Sequence, residues 1–211
     1  MKPDPAQTQQ PGVAPDAAAF RDVPHLIEIP VRSETVHQGR FLHVRRDAVR
    51  LPDGAEAERE YIVHPGAVMV VPLLDDGQVV VERQYRYPLG RSFIEFPAGK
   101  IDHGEPPWDC GRRELEEETG YRAREWARAG VIHNAIAYST EGIELWFARG
   151  LTAGAAKLDA GEFLDVFTIS PDELDAQVAR GELTDVKTII GLMWLQKWRA
   201  GLWPLAWQAA P

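Results

Sequence analysis

Cysteine is nearly missing: Cys110 stands alone among 211 residues, which excludes an intramolecular disulfide framework. No apolar run reaches the ~20 residues needed to cross a bilayer, so no membrane association is expected. Positive charge is also short. The 23 Lys and Arg against 32 Asp and Glu leave a net charge of −9, whereas nonspecific binding to nucleic-acid phosphates needs a basic surface, so no nucleic-acid partner is expected either. The six histidines show no paired ligand spacing, and the chain has no internal repeat. The stretch MKPDPAQTQQPGVAPDAAAF has one Lys, two Asp and no continuous apolar segment, unlike a secretory signal. A soluble, cytoplasmic protein is the resulting expectation. An acidic balance still leaves phosphate substrates open, because a bound metal reverses the local potential.

With 45% hydrophobic and 26% charged residues, the chain has an ordinary globular composition and is long enough to bury a sizeable core. Residues 1–22, rich in Pro, Ala and Gln, read as a disordered or loosely attached tail. From Glu34 to about His64 the pattern changes to short β-like runs: FLHVRRDAVRL and AEREYIVH flank a Pro-Asp-Gly turn and predict a hairpin. Residues 23–65 form this N-terminal β region. Two more strands follow, GAVMVVPLL and QVVVERQY, joined at Asp75-Asp76-Gly77; the first is too continuously apolar for a half-exposed strand and reads as central in a sheet. SFIEFPAGK is a short strand broken at Pro97.

A helix is predicted from Pro106-Pro107 to a stop at Gly120, with Trp108, Gly111, Leu115 and Thr119 packing on the sheet and Gly111 permitting close approach. Strands are expected at 127–134, 142–149 and 163–169. Ser170-Pro171-Asp172-Glu173 reads as a capping box opening a helix to about Ala179, and Thr184 opens a second amphipathic helix. The main domain spans 66–200 and a tail 201–211, where Trp203 and Trp207 either pack with Trp194 and Trp198 or join them in a dimer contact. This order of elements is α+β, an α/β/α sandwich with a mixed central sheet and an N-terminal antiparallel extension.

The chemistry concentrates between Gly99 and Tyr121, in GKIDHGEPPWDCGRRELEEETGY. Glu114, Glu117 and Glu118 fall at helical offsets of zero, three and four and share one face. Like charges at those spacings destabilise an isolated helix, so this face is either fully solvated or holds a hard cation. Oxygen ligands of this kind suit Mg²⁺ or Mn²⁺, and three carboxylates suffice for more than one ion. The packing stripe lies roughly 100° from Glu114 by helical geometry, which leaves the acidic face free to line a cleft.

The block fits Gly-x5-Glu-x7-Arg-Glu-apolar-x-Glu-Glu-x-Gly-apolar at Gly99, Glu105, Arg113, Glu114, Leu115, Glu117, Glu118, Gly120 and Tyr121. With average residue usage, a chance match is below roughly one in 10⁸ per window. The chain therefore resembles a Nudix hydrolase. Glu82-Arg83-Gln84-Tyr85-Arg86-Tyr87, Glu95-Phe96-Pro97-Ala98-Gly99-Lys100-Ile101-Asp102, Arg59-Glu60 and Asp185-Val186-Lys187-Thr188 extend the resemblance to the ADP-ribose pyrophosphatase group, over about Glu34 to Trp198.

The resemblance implies a metal-dependent enzyme that cleaves ADP-ribose, or a close nucleoside diphosphate sugar, to AMP and ribose 5-phosphate. It also implies a homodimer whose N-terminal strands help build the partner's site. Glu114 and Glu118 would be direct metal ligands, Glu117 a further ligand or base, and the Ala98 carbonyl another oxygen. Arg113 and Glu105 would pair to brace the loop, with Gly99 and Gly120 supporting the block. Arg86 and Arg59 would face substrate, and Phe41 would either stack on adenine or join the core. Glu141 would assist near substrate or metal or order its loop. Glu162, in DAGEFLDVFTIS, would be a metal ligand or the base that activates water, and Gly161 fits a loop that closes over substrate. Two departures stand out. Ala160 occupies a position where relatives carry a second glutamate, and Ala137-Tyr138 replaces the Pro-Gly that commonly precedes the Ser-x-Glu step kept here as Ser139 to Glu141. The second loosens ADP-ribose specificity without touching hydrolysis. Cys110 carries no implied role beyond packing.

Overall fold

The computed structural model describes residues 23–210; the expected tail at 1–22 lies outside them. The N-terminal region is a three-stranded antiparallel sheet of β1 (Ile29–Gln38), β2 (His43–Arg50) and β3 (Glu56–Ile62) in that order. The hairpin read from Pro-Asp-Gly joins β2 and β3, with Asp47 opposite Arg59 and Val44 opposite Ile62. β1 starts at Ile29, earlier than the expected change of pattern at Glu34. Its partner is β2, and Ile29 pairs with Arg50, so its start is set by a strand distant in sequence rather than by its own periodicity. Every residue of β1 is exposed.

The second sheet has eight strands: β4 (Ala67–Leu73), β5 (Val79–Arg86), β6 (Arg91–Glu95), β7 (Ala98–Lys100), β8 (Arg122–Ile132), β9 (Ile143–Thr152), β10 (Leu164–Ile169) and β11 (Gln208–Ala209). The main path runs β10-β5-β4-β9-β8-β11, with β6 on β5 and β7 on β4. β4 and β9 are parallel and the other pairs antiparallel, so the sheet is mixed. β8 begins five residues before the expected 127, because its register with β9 puts Arg122 opposite Thr152 and lets Arg149 hold Glu125 through two hydrogen bonds.

Helix α1 (Pro107–Thr119) covers one face of this sheet, while α2 (Pro171–Ala179) and α3 (Val186–Arg199) cover the other. The continuously apolar β4 serves both layers: Val68 and Val70 pack with Cys110 and Leu115 of α1, whereas Met69 and Val71 pack with Leu174, Leu192 and Leu195 of α2 and α3. α1 and α3 each come close to β4 through a glycine. A Cβ on Gly111 would meet Val68 Cγ1 at 3.0 Å, and one on Gly191 would meet Met69 Cε at 2.8 Å. α1 stops at Gly120, whose φ of 74° is a left-handed conformation that other residues disfavour. Ser170 caps α2 by accepting from the Glu173 N–H, and Asp185, not Thr184, caps α3. Trp194 packs on Trp203 and Trp198 on Trp207. Among the described residues, no helix is long and apolar enough to cross a membrane.

Candidate active site

Strand alternation builds one wall of the site. Val79 and Val81 face the layer of α2 and α3, so Glu82, Gln84 and Arg86 on β5 face the opposite side, where α1 lies. β6 is paired with β5 so that Glu95 sits opposite Glu82. The chain then turns at Pro97 into β7, and α1, which carries most of the Gly99–Tyr121 block (the family box), returns across it with its carboxylates over Ala98 and Gly99.

Three charged groups on this wall satisfy one another. Arg86 donates twice to Glu95, both at 2.7 Å, and Lys187 at the start of α3 donates to Glu95 and to Asp185. Burial pushes the Glu95 carboxyl up, but Arg86 and Lys187 outweigh it and hold the group below the usual carboxylate range. Thr188 accepts from the Phe96 N–H at 3.1 Å and donates to Asp185 at 2.6 Å. The Asp185-Val186-Lys187-Thr188 segment thereby ties the cap of α3 to the Glu-Phe-Pro-Ala-Gly turn. Glu95 and Lys187 carry this bracing, a role that residue-by-residue reading of the box misses.

The box carboxylates are far less alike than their helical spacing suggests. Glu118 is only 4% exposed and accepts from the Ala98 N–H at 3.0 Å. Glu114 is mostly buried and Glu117 partly open. The expected open acidic face is thus a graded one that sinks into the protein at Glu118, where the Ala98 N–H of β7 meets its carboxyl. Burial raises the Glu118 carboxyl strongly, and the Glu82 charge raises it further. Burial lifts Glu114 to about 7 against the pull of Arg113. A Cβ at residue 99 would lie 1.9 Å from the Glu114 Cδ, so the first glycine of the box makes room for that carboxylate.

Arg113 gathers the rest. It meets Glu105 through Nε and Nη2, both at 2.9 Å, and holds the Glu105 carboxyl down at about 2; the expected brace is present. Its Nη1 also reaches Glu114 at 2.7 Å and Glu117 at 3.1 Å. Among the described residues no three Asp, Glu, His or Cys groups already converge as a metal cage, since Arg113 draws Glu114 and Glu117 to itself. The donor set nonetheless fits a hard divalent cation: carboxyl oxygens, one backbone carbonyl at Ala98, and at Glu118 a buried carboxyl that Arg113 does not reach. An ion would take Glu114 over from Arg113.

The remaining candidates are spread more widely. Glu162 lies in the turn before β10, partly buried, with Gln84 Nε2 at 3.5 Å from its Oε1; its charge also raises Glu114 and Glu118, which puts it on the ridge side of the sheet. Glu141 sits 3.7 Å from His64 Nδ1 and packs in the loop between β8 and β9. Phe41 is 70% exposed, so its core alternative is corrected. It lies edge-on to His64, with Lys100 Nζ 5.7 Å from its ring centre. Arg59 is on the N-terminal sheet and is held by Glu28, not by any side chain of the box. Cys110 is buried against the Gly99 and Lys100 carbonyls, and burial pushes its thiol up to about 12, which makes it inert packing.

Comparison with known proteins agrees with this geometry. The NUDIX domain family matches residues 63–189, and the nucleoside diphosphate sugar hydrolase N-terminal domain matches residues 28–62. A methanol dehydrogenase activator of Bacillus methanolicus is 36% identical over 171 residues, covering 80% of this chain and 92% of its own. An ADP-ribose pyrophosphatase of Bacillus subtilis (strain 168) is 33% identical over 173 residues, covering 81% and 94%. A crystal structure of an ADP compounds hydrolase superposes with a TM-score of 0.74 at 22% identity, covering 82% of this chain and 95% of that one; at that identity it speaks for the fold.

Proposed function

The chain belongs to the Nudix hydrolase family, and we propose that it hydrolyses the pyrophosphate bond of ADP-ribose, or of a closely related nucleoside diphosphate sugar, in a reaction that requires a divalent metal. The observation that carries this reading is the buried acidic ridge of Glu114 and Glu118 packed over Ala98 and Gly99. The Bacillus subtilis relative and the match of residues 28–62 support the substrate class.

Glu114, Glu118, the Ala98 carbonyl and, at the open end, Glu117 hold Mg²⁺ or Mn²⁺, more than one ion being accommodated. Bound there, the metal neutralises phosphate charge and lowers the pKa of water. Glu162, carried on the turn beside Gln84, takes the proton from the attacking water or adds a ligand. Oxygen bonds to one phosphorus, the bridging P–O bond breaks, and the other phosphate leaves as a monoester, so that ADP-ribose and water become AMP and ribose 5-phosphate. Arg86 orients the nucleotide side of the substrate. Arg59, Phe41 and Glu141 complete its binding across a homodimer, a reading supported by the full exposure of β1 and by exposed Val31, Val36, Phe41 and Leu42. Sedimentation at micromolar concentration tests the dimer; a monomer sinks that part.

The assay is AMP release from ADP-ribose with Mg²⁺, run beside a panel of other nucleoside diphosphate compounds and with ¹⁸O-labelled water to locate the attacked phosphorus. Activity confined to a different nucleoside diphosphate compound would move the substrate, as the Ala137-Tyr138 departure allows. Tight ADP-ribose binding without turnover under several metals would instead make the chain a sensor.

A further inference from the structure

The wall of the site holds one carboxylate that the family box does not include. Glu82 is 0% exposed, and neither of its oxygens has a hydrogen-bond partner among the described residues. A buried carboxylate without a partner is among the costliest groups a fold can carry. The two nearby cations ease its charge only through space, since the hydrogen bonds of Arg86 and Lys187 on this wall go to Glu95. Glu118 gives it no hydrogen bond either: its Oε2 is engaged by the Ala98 N–H. Strand alternation aims Glu82 to the same side as Gln84, which reaches Glu162. The Glu82 charge is also the strongest electrostatic influence on Glu118 after burial. Two deeply buried carboxylates thus face one region with a single N–H between them.

We propose that Glu82 completes, with Glu118 and the Ala98 carbonyl, an inner divalent-cation site beneath the box helix, which makes it a further metal-binding residue contributed by β5. One divalent ion would neutralise both carboxylates and satisfy oxygens that the fold leaves bare. The inference rests on the hydrolase reading only for the presence of a metal and is independent of the substrate.

The test is Mn²⁺ binding to the full chain, followed by electron paramagnetic resonance, for wild type, Glu82→Gln and Glu82→Val. Glu60→Gln, which removes a surface ion pair on the N-terminal sheet, is the control. Both Glu82 variants are expected to bind the tightest Mn²⁺ about 10- to 100-fold more weakly, the scale for losing a group that tunes a metal site. In chelator they are expected to melt above wild type, since a buried carboxyl whose oxygens lack partners has gone. The near-isosteric Gln variant keeps the test alive if Val fails to fold. Unchanged Mn²⁺ affinity and stoichiometry in Glu82→Gln would overturn the proposal while leaving an active hydrolase intact. Weakened binding in a chain that does not cleave ADP-ribose would uphold the site and move the substrate. No Mn²⁺ binding by wild type would sink both.

Discussion

The two sheets of this chain treat negative charge in opposite ways. On the N-terminal sheet, charges are at the surface and answered: Arg46 holds Glu60, Arg59 holds Glu28, and Asp47 accepts from Ser33 and Tyr61. At the central sheet, Glu82 on β5 and Glu118 on the helix packed against it are buried, and the Ala98 N–H is their one recorded hydrogen bond among the described residues. Exposed pairs are worth ~0–1 kcal/mol each, so the first arrangement is a cheap solubility device. The second is expensive, and a chain carries such a cost where a ligand will offset it. Position relative to the sheet, rather than the number of acids, separates a surface from a site.

The sharpest way to break this contrast is Glu118→Gln. Hydrolysis of ADP-ribose with Mg²⁺ should fall on the order of 10²-fold or more, the scale of losing one preorganised electrostatic group, while the metal-free fold is retained. Equal rates in wild type and variant would remove Glu118 from the chemistry. Gly99→Ala comes next. Its Cβ would displace the flexible end of Glu114 rather than backbone, so metal affinity measured by calorimetry should drop about tenfold or more with little change in melting temperature. A comparable loss of both would make Gly99 merely structural.

Arg113→Ala leaves Glu105 and Glu114 without their main partner and should cost about 1–3 kcal/mol in urea unfolding; added Mg²⁺ should recover part of that by neutralising Glu114. The pH dependence of the chelated protein follows from the raised carboxyls. Glu82, Glu114 and Glu118 keep protons in the folded state that the unfolded chain has released. Their contribution is full below the ordinary carboxylate range and is lost as pH rises through about 7, where Glu114 ionises. The melting temperature in chelator should therefore fall between pH 5 and pH 8 and recover at pH 8 with Mg²⁺. Glu105 works in the opposite direction, and its contribution disappears as pH drops toward 2. The smallest stability effect belongs to Arg59→Ala, at ~0–1 kcal/mol. A raised KM for ADP-ribose with unchanged melting would place Arg59 at the substrate; no kinetic change would leave it as the partner of Glu28.

Local chemistry was the legible part of this fold. Pro107 and Gly120 mark both ends of α1, Asp75-Asp76-Gly77 marks the β4–β5 turn, and the box names Arg113, Glu105 and the three helical carboxylates. Non-local pairing was not legible. β1 and β8 begin where distant strands place them, and the burial of Glu118 against Ala98 of β7 is something the helix itself does not encode. Glu82 could have been noticed: it follows Val79, Val80 and Val81 in a strand that reads as internal, and a charge at that point asks for a partner. Its lack of one emerges only when Arg86 and Lys187 are seen to be spent on Glu95.

The most direct test of the account is anomalous diffraction from crystals soaked in Mn²⁺ with a slowly hydrolysed ADP-ribose analogue. Manganese peaks are expected among Glu118, Glu114 and the Ala98 carbonyl, next to the analogue's phosphates. Manganese found only on surface acids, with Glu118 still bound solely to the Ala98 N–H and the analogue elsewhere, would contradict it.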